Sequence, residues 1–197
     1  MKSPAEPKQA PIYRALKRVF DICMSALLML ILWPLGAALA IMIVLDSKGS
    51  PIYAQNRIGL NKRHIRLYKF RSMVSNADAL KSNFTPEQLA EWQQNFRLEH
   101  DPRITKIGAF LRRTGLDELP QLLNIFKGEM SFVGPRPIVE EELPLYGECA
   151  EKLISVKPGL TGYWQVYAGR IEMDMHYIDN ASLRIDAQII RKTLSRR

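Results

Sequence analysis

An uncharged stretch of 24 residues, Ile22 to Leu45 (ICMSALLMLILWPLGAALAIMIVL), limits what this chain can become more than any other feature. At 1.5 Å of rise per residue it makes roughly 36 Å of helix, against a bilayer hydrocarbon core of about 30 Å. The run is too long for an ordinary signal-peptide core, and no convincing small-residue cleavage site precedes Asp46. It therefore predicts a membrane helix. Lys2, Lys8, Arg14, Lys17 and Arg18 stand before it. Lys48, Arg57, Lys62, Arg63, Arg66, Lys69 and Arg71 follow, with no acid from Ser47 to Met73. Both ends read as cytoplasmic under the positive-inside rule, which one straight span cannot satisfy. Pro34, with Gly36 close by, sits mid-run, where it removes a backbone hydrogen bond and kinks a helix. A re-entrant hairpin that enters and leaves by one leaflet satisfies charge and kink together. A kinked span is the competing reading, since prolines occur in true spans.

The remainder of a 197-residue chain suffices for one ordinary core. A net charge of +8 calls for anionic partners: nucleic acid, an anionic lipid surface or phosphorylated substrates. Cys23 and Cys149 lie far apart, Cys23 inside the apolar run, which argues against a disulfide framework and fits a reducing cytoplasm. His64, His100 and His176 have no ligand spacing with either cysteine, so no zinc site is expected. No internal repeat and no glycine-rich loop of Walker or Rossmann type is visible.

Residues 1 to 13, with Pro4, Pro7 and Pro11, read as a flexible tail. Ile52 to Arg57 and His64 to Phe70 alternate like strands around a turn at Gly59-Leu60-Asn61, predicting a hairpin. Thr85-Pro86-Glu87-Gln88 is a helix start with a capping box, after which Leu89, Trp92 and Phe96 share one face. Asp101-Pro102-Arg103 breaks the chain before a short basic and apolar helix, Ile104 to Arg113. Glu140, Glu141 and Glu142 read as a solvated face. Pro158-Gly159 and Thr161-Gly162 predict a tight loop before Tyr163-Trp164-Gln165-Val166, whose rings either stack on a base or sugar or form a core strand. Leu183, Ala187, Ile190 and Leu194 form a stripe with Arg184, Arg191, Lys192, Arg196 and Arg197 alongside, predicting a basic amphipathic helix on the membrane.

The chemistry concentrates in Leu116 to Pro137, LDELPQLLNIFKGEMSFVGPRP. Asp117 and Glu118 open an apolar run that Gly128 closes. Pro120 suits a first helical turn and Gly128 the residue past the end, which places both carboxylates at a helix N-terminus. Free N–H groups and the dipole gather there and favour an anion such as phosphate. Asp117 as a plain helix cap is the competing reading. Arg136, held between Pro135 and Pro137, can grip a phosphate bidentately.

DELPQLLNIFKGEMSFVGPRP, preceded by YKFRSM at 68 to 73 and followed by KPGLTGYWQV at 157 to 166, resembles the monotopic phosphoglycosyl transferases, the bacterial sugar transferase family. The likeness runs from about Arg18 to about Asp186. It implies a mostly helical α+β fold: a re-entrant membrane helix, amphipathic interfacial helices and a small cytoplasmic catalytic domain containing a short β-hairpin. The chain then divides into a basic tail and helix start (1–21), the re-entrant helix (22–45) and the catalytic domain with its interfacial helices (46–197). The break usually carries a Ser-Pro pair; here it is Trp33-Pro34.

The reaction implied is transfer of a phosphosugar from a UDP-sugar to undecaprenyl phosphate, with release of UMP, at the cytoplasmic face of the bacterial inner membrane. Asp117 is the implied nucleophile and Mg²⁺ ligand, and Glu118 its partner in metal or proton handling. Lys69 matches an active-site lysine, with Arg71 nearby serving either function or structure. Arg112 matches an arginine that holds a lipid phosphate, a part Arg113 could equally play. Arg136 and Asp174 complete the substrate-binding set. Only Ile171, Glu172 and Met173 separate Arg170 from Asp174, fewer than the family usually has. The partners expected are the UDP-sugar, undecaprenyl phosphate and membrane lipids, with no nucleic acid and with a homodimer as one assembly.

Two other classes compete. A membrane-anchored module binding anionic polymer or lipid explains charge and anchor but gives no reason for Asp117-Glu118 among arginines. A membrane phosphatase would deliver water in place of lipid phosphate to similar groups.

Overall fold

The computed structural model describes residues 9–95, 98, 100–167 and 169–195. Its backbone forms two compact units: the described parts of 1–32, 54–68 and 120–197, and those of 33–53 and 69–119. The fold is mostly helical with a few short strands, as the α+β expectation has it.

The apolar run belongs to one long helix, α1 (Pro11–Asp46), helical through Pro34. Residues 11–13, expected in the tail, are its first turn: Pro11 has no N–H to lose there. The division between the units falls at Leu32/Trp33, one residue before Pro34. Only 11% of the most apolar 18-residue stretch of α1 is buried, with Leu30 71% and Trp33 66% exposed. A core helix of a soluble protein would be covered by protein. This one leaves its apolar surface for lipid, and the chain is membrane-anchored.

Strands β1 (Ile52–Ile58) and β2 (His64–Phe70) pair around a turn in which Asn61 and Lys62 take positive φ, as expected. Helix α2 (Pro86–Asn95) starts with the capping box: Thr85 N–H donates to Gln88 Oε1 and Gln88 N–H to Thr85 Oγ1. Phe96 of its expected stripe lies outside the described residues, as do Arg196 and Arg197. Helix α3 (Lys106–Thr114) begins at an N-cap, Thr105, and ends at Gly115 in the left-handed region.

In the first unit, α4 (Gln121–Lys127) leads to β3 (Ser131–Val133); after α5 (Ala150–Ile154), β4 (Gly159–Thr161) pairs with β3 in parallel, Ser131 opposite Gly159 and Val133 opposite Thr161. This pair replaces the expected loop. Tyr163-Trp164-Gln165-Val166 is a helical turn, α6, and the core strand lies just before it. Helices α7 (Arg170–Asn180) and α8 (Leu183–Ser195) follow. The start of α1 is tied to this unit by polar bonds. Arg18 donates to Ile125 O and Phe126 O at 2.7 and 2.8 Å, closing the carboxyl end of α4. The Asp21 carboxylate accepts from Phe132 N–H at 3.0 Å and Ser131 Oγ at 3.1 Å. Tyr13 and Lys17 both reach Asp186, which Tyr177 also contacts at 2.8 Å.

Two surface expectations change. Glu142 is buried beside Arg57 and accepts Val139 N–H at 3.2 Å, so the acidic run is not wholly a solvated face. On α8, Asp186 and Ile189 turn inward, while Leu183 and Leu194 of the expected stripe are exposed, consistent with an interfacial face.

In the second unit, Leu39 and Ile43 of α1 pack with Phe70 and Leu111, joined by Ile107, Leu116 and Leu119. Buried Arg71 donates to Ser47 O and Lys48 O, each at 2.6 Å, capping the end of α1. That is its structural role. The Asp46 carboxylate accepts Ile107 N–H at 3.1 Å at the start of α3.

Candidate active site

The dyad is placed by a glycine and two leucines. Gly115 (φ 69°, ψ 13°) ends α3 and turns the chain into a single 3-10 turn, Leu116–Glu118. Leu116 and Leu119 are drawn against the apolar cluster of the second unit, fixing the backbone on both sides of Asp117 and Glu118. The carboxylates therefore do not occupy the first turn of α4, which starts only at Gln121 with Pro120 as its N-cap. Leu119 and Pro120 keep helical φ and ψ between this turn and α4, so the dyad stands at the start of the helical run, one 3-10 turn ahead of α4 itself. Side chains add to what can hold an anion here.

Those side chains are cations of the same unit. Lys69, on β2, donates to Glu118 Oε1 at 3.1 Å. Their side chains are 32% and 21% exposed, so the pair orients more than it stabilises. Arg112, in the last turn of α3, donates through Nε to Ser72 Oγ at 2.8 Å. Burial pushes the Asp117 carboxyl above its ordinary range; Lys69 pulls it back, Glu118 pushes it up again, and Arg112 lowers it. Thus Lys69, Arg112, Asp117 and Glu118, four residues expected in the site, act on one another. Asp117 is a half-buried carboxyl on which two cations act, a group that serves as a nucleophile toward phosphorus in its ionised form.

The other two expected residues lie in the first unit. Arg136 is half-buried, its guanidinium carbon 5.7 Å from the centre of the Trp164 ring. Asp174 is 1% exposed and accepts from the Tyr146 hydroxyl at 3.0 Å. Sequence reasoning missed Ser72 and Tyr146, since nothing local in either marks its partner 40 or 28 residues away.

For a metal, the donors at hand are Asp117 and Glu118; among the described residues no group of three or more His, Cys, Asp or Glu could hold an ion. Such a donor set suits Mg²⁺, which commonly takes one or two protein carboxylates and completes its shell with substrate phosphate and water. It does not suit an ion held by protein alone.

A family model described as bacterial sugar transferase matches residues 12–197. The exopolysaccharide production protein ExoY of Sinorhizobium fredii is 42% identical over 194 residues, covering 93% of this chain and 86% of that protein. The undecaprenyl-phosphate galactose phosphotransferase of Salmonella typhimurium is 43% identical over 190 residues, 91% of this chain and 40% of the relative. The undecaprenyl-phosphate glucose phosphotransferase of Komagataeibacter xylinus is 37% identical over 198 residues, 91% of this chain and 35% of the relative.

Proposed function

The chain belongs to the bacterial sugar transferase family and is a phosphoglycosyl transferase, and we propose that it moves a phosphosugar from a UDP-sugar to undecaprenyl phosphate through a covalent intermediate on Asp117. The observation that carries this reading is the half-buried Asp117 carboxylate under the charges of Lys69 and Arg112. A Asp117 oxygen attacks the phosphorus that bears the sugar; the bond from that phosphorus to the bridging oxygen breaks, and UMP leaves with the bridging oxygen. An oxygen of the lipid phosphate then attacks the same phosphorus, the bond to Asp117 breaks, and the carboxylate is restored as polyprenyl diphosphate sugar departs. Both substrates are anions, so the approach of each depends on fixed cations. Lys69 holds Glu118 beside the nucleophile, and Arg112 receives the lipid phosphate. The resemblance counts Arg136 and Asp174 among the substrate-binding residues; of the two, Arg136 is the one exposed enough to meet a phosphate, since Asp174 is buried against Tyr146. Asp117, with Glu118, would hold Mg²⁺, which when bound offsets phosphate charge.

The galactose and glucose phosphotransferases among the relatives support a hexose donor without choosing one. The experiment is a panel of UDP-sugars with Mg²⁺ and undecaprenyl phosphate, reading UMP and lipid products. UMP with one sugar and a lipid-linked product is expected. Free sugar phosphate would point instead to hydrolysis, and no UMP from any donor would overturn the reading.

The anchor is proposed as re-entrant, with both ends and the catalytic domain on the cytoplasmic side of the inner membrane, where the lipid's phosphate lies. Basic flanks on both sides of the run and Pro34 at its middle support it. Pro34→Ala restores the missing hydrogen bond and is expected to favour a straight span, moving one terminus across the membrane. Cysteine labelling of both ends reads this; two cytoplasmic ends in the variant would refute the role given to the proline.

A further inference from the structure

Ser72 stands three residues beyond Lys69 and is buried, 9% exposed. The segment around it is pinned on both sides: its carbonyl accepts Thr105 N–H at 3.2 Å, Val74 N–H donates to Arg103 O at 2.9 Å, and Met73 bridges Ile104. Helix α3 lies directly on this segment. A Cβ at Gly108 would fall 1.9 Å from Ser72 O and 2.6 Å from Ser72 C, so only glycine allows the approach. Residues 108 and 112 are one turn apart on the same helix face. The face that presses on the Ser72 backbone therefore carries Arg112 to the hydroxyl of the same residue, where Nε donates at 2.8 Å. Arg112 is exposed and carries its charge on a long, flexible stem. A bond at Nε to a buried, immobile oxygen sets the direction of the stem's end and the plane of the guanidinium.

We propose that Ser72 is a positioning residue for the transfer reaction, holding Arg112 in the orientation that receives the phosphate of the lipid acceptor beside Asp117. This rests on the function proposed above. It predicts a defect selective for the acceptor, the substrate whose phosphate Arg112 is proposed to receive.

The test measures KM for undecaprenyl phosphate and for the UDP-sugar separately, using full-length Ser72→Ala, Ser72→Thr, Arg112→Gln and the Ser72→Ala/Arg112→Gln double variant in detergent. Ser72→Ala is expected to raise the acceptor KM about tenfold, the scale of one hydrogen bond to a charged group, with the donor KM unchanged. Ser72→Thr keeps the oxygen and is expected to restore the acceptor KM to within about twofold. In the Arg112→Gln background, removing the hydroxyl should add less than about twofold, since the group it orients is gone. A partly unfolded variant loses active enzyme and so lowers the maximal rate, leaving the ratio of the two KM values untouched. An unchanged acceptor KM in Ser72→Ala, an equal rise in both KM values, or a full tenfold effect on top of Arg112→Gln would each overturn the proposal while leaving the transfer reaction standing. Wild type that releases no UMP from any donor would overturn both.

Discussion

Asp117→Asn is expected to lower UMP release by about four orders of magnitude or more while leaving the protein folded, the scale at which an enzyme loses its nucleophile. Asparagine has nearly the same shape but no anionic oxygen to form an acyl phosphate. The retained fold follows from the sign of the electrostatics. Burial raises the Asp117 carboxyl above its ordinary range, so the ionised group disfavours the folded state at neutral pH, and replacing it with a neutral amide does not cost stability. Leu116 and Leu119 keep the turn in place, and the Lys69–Glu118 pair persists. The measurement pairs UMP release with the thermal midpoint in detergent. An inactive variant with an unchanged or higher midpoint separates chemistry from folding. Turnover near the wild-type rate would remove Asp117 as nucleophile, whatever the midpoint.

The elements that could be read from the sequence are those whose causes are local. The hairpin between Ile52 and Phe70 follows from alternation over seven-residue strands and a turn that takes positive φ. The start of α2 follows from Thr85 and Gln88, three residues apart. The membrane helix follows from 24 uncharged residues. What could not be read depends on partners distant in the chain. Asp21 looks like one more charge before the apolar run, yet its carboxylate meets Phe132 N–H, 111 residues on. Arg71 belongs to a run of basic residues, and only the folded chain shows it closing the end of α1 23 or 24 residues earlier. Ser131–Val133 and Gly159–Thr161 are three-residue strands, too short for alternation to appear, and their parallel pairing needs the intervening chain to return. The dyad was found by its composition, and its punctuation placed it one turn too far into α4. Pro120 and Gly128 do bracket α4, but Gly115 opens a turn of its own ahead of it, and the dyad belongs to that turn.

Gly108→Ala is expected to destabilise the fold by about 3 kcal/mol, because the added methyl meets atoms that cannot swing aside. Its Cβ would lie 1.9, 2.6 and 2.8 Å from O, C and Cα of Ser72, all backbone. Relief requires α3 to move off the segment, breaking the Thr105 N–H to Ser72 O bond and the Arg112 to Ser72 Oγ bond together. Helix propensity points the other way, since alanine exceeds glycine by about 1 kcal/mol in a helix interior, so a local view predicts stabilisation. Gly36→Ala serves as the contrast: also helical and in the same unit, its Cβ meets nothing nearer than Phe70 at 3.9 Å, and its thermal midpoint in detergent is expected to hold or rise. Since the obstruction at Gly108 is main chain, shortening the neighbour cannot help, and Gly108→Ala/Ser72→Gly should be no more stable than Gly108→Ala. Recovery of the midpoint in that double variant would mean that side chains, not backbones, set the distance between α3 and the YKFRSM segment, and with it the position of Arg112.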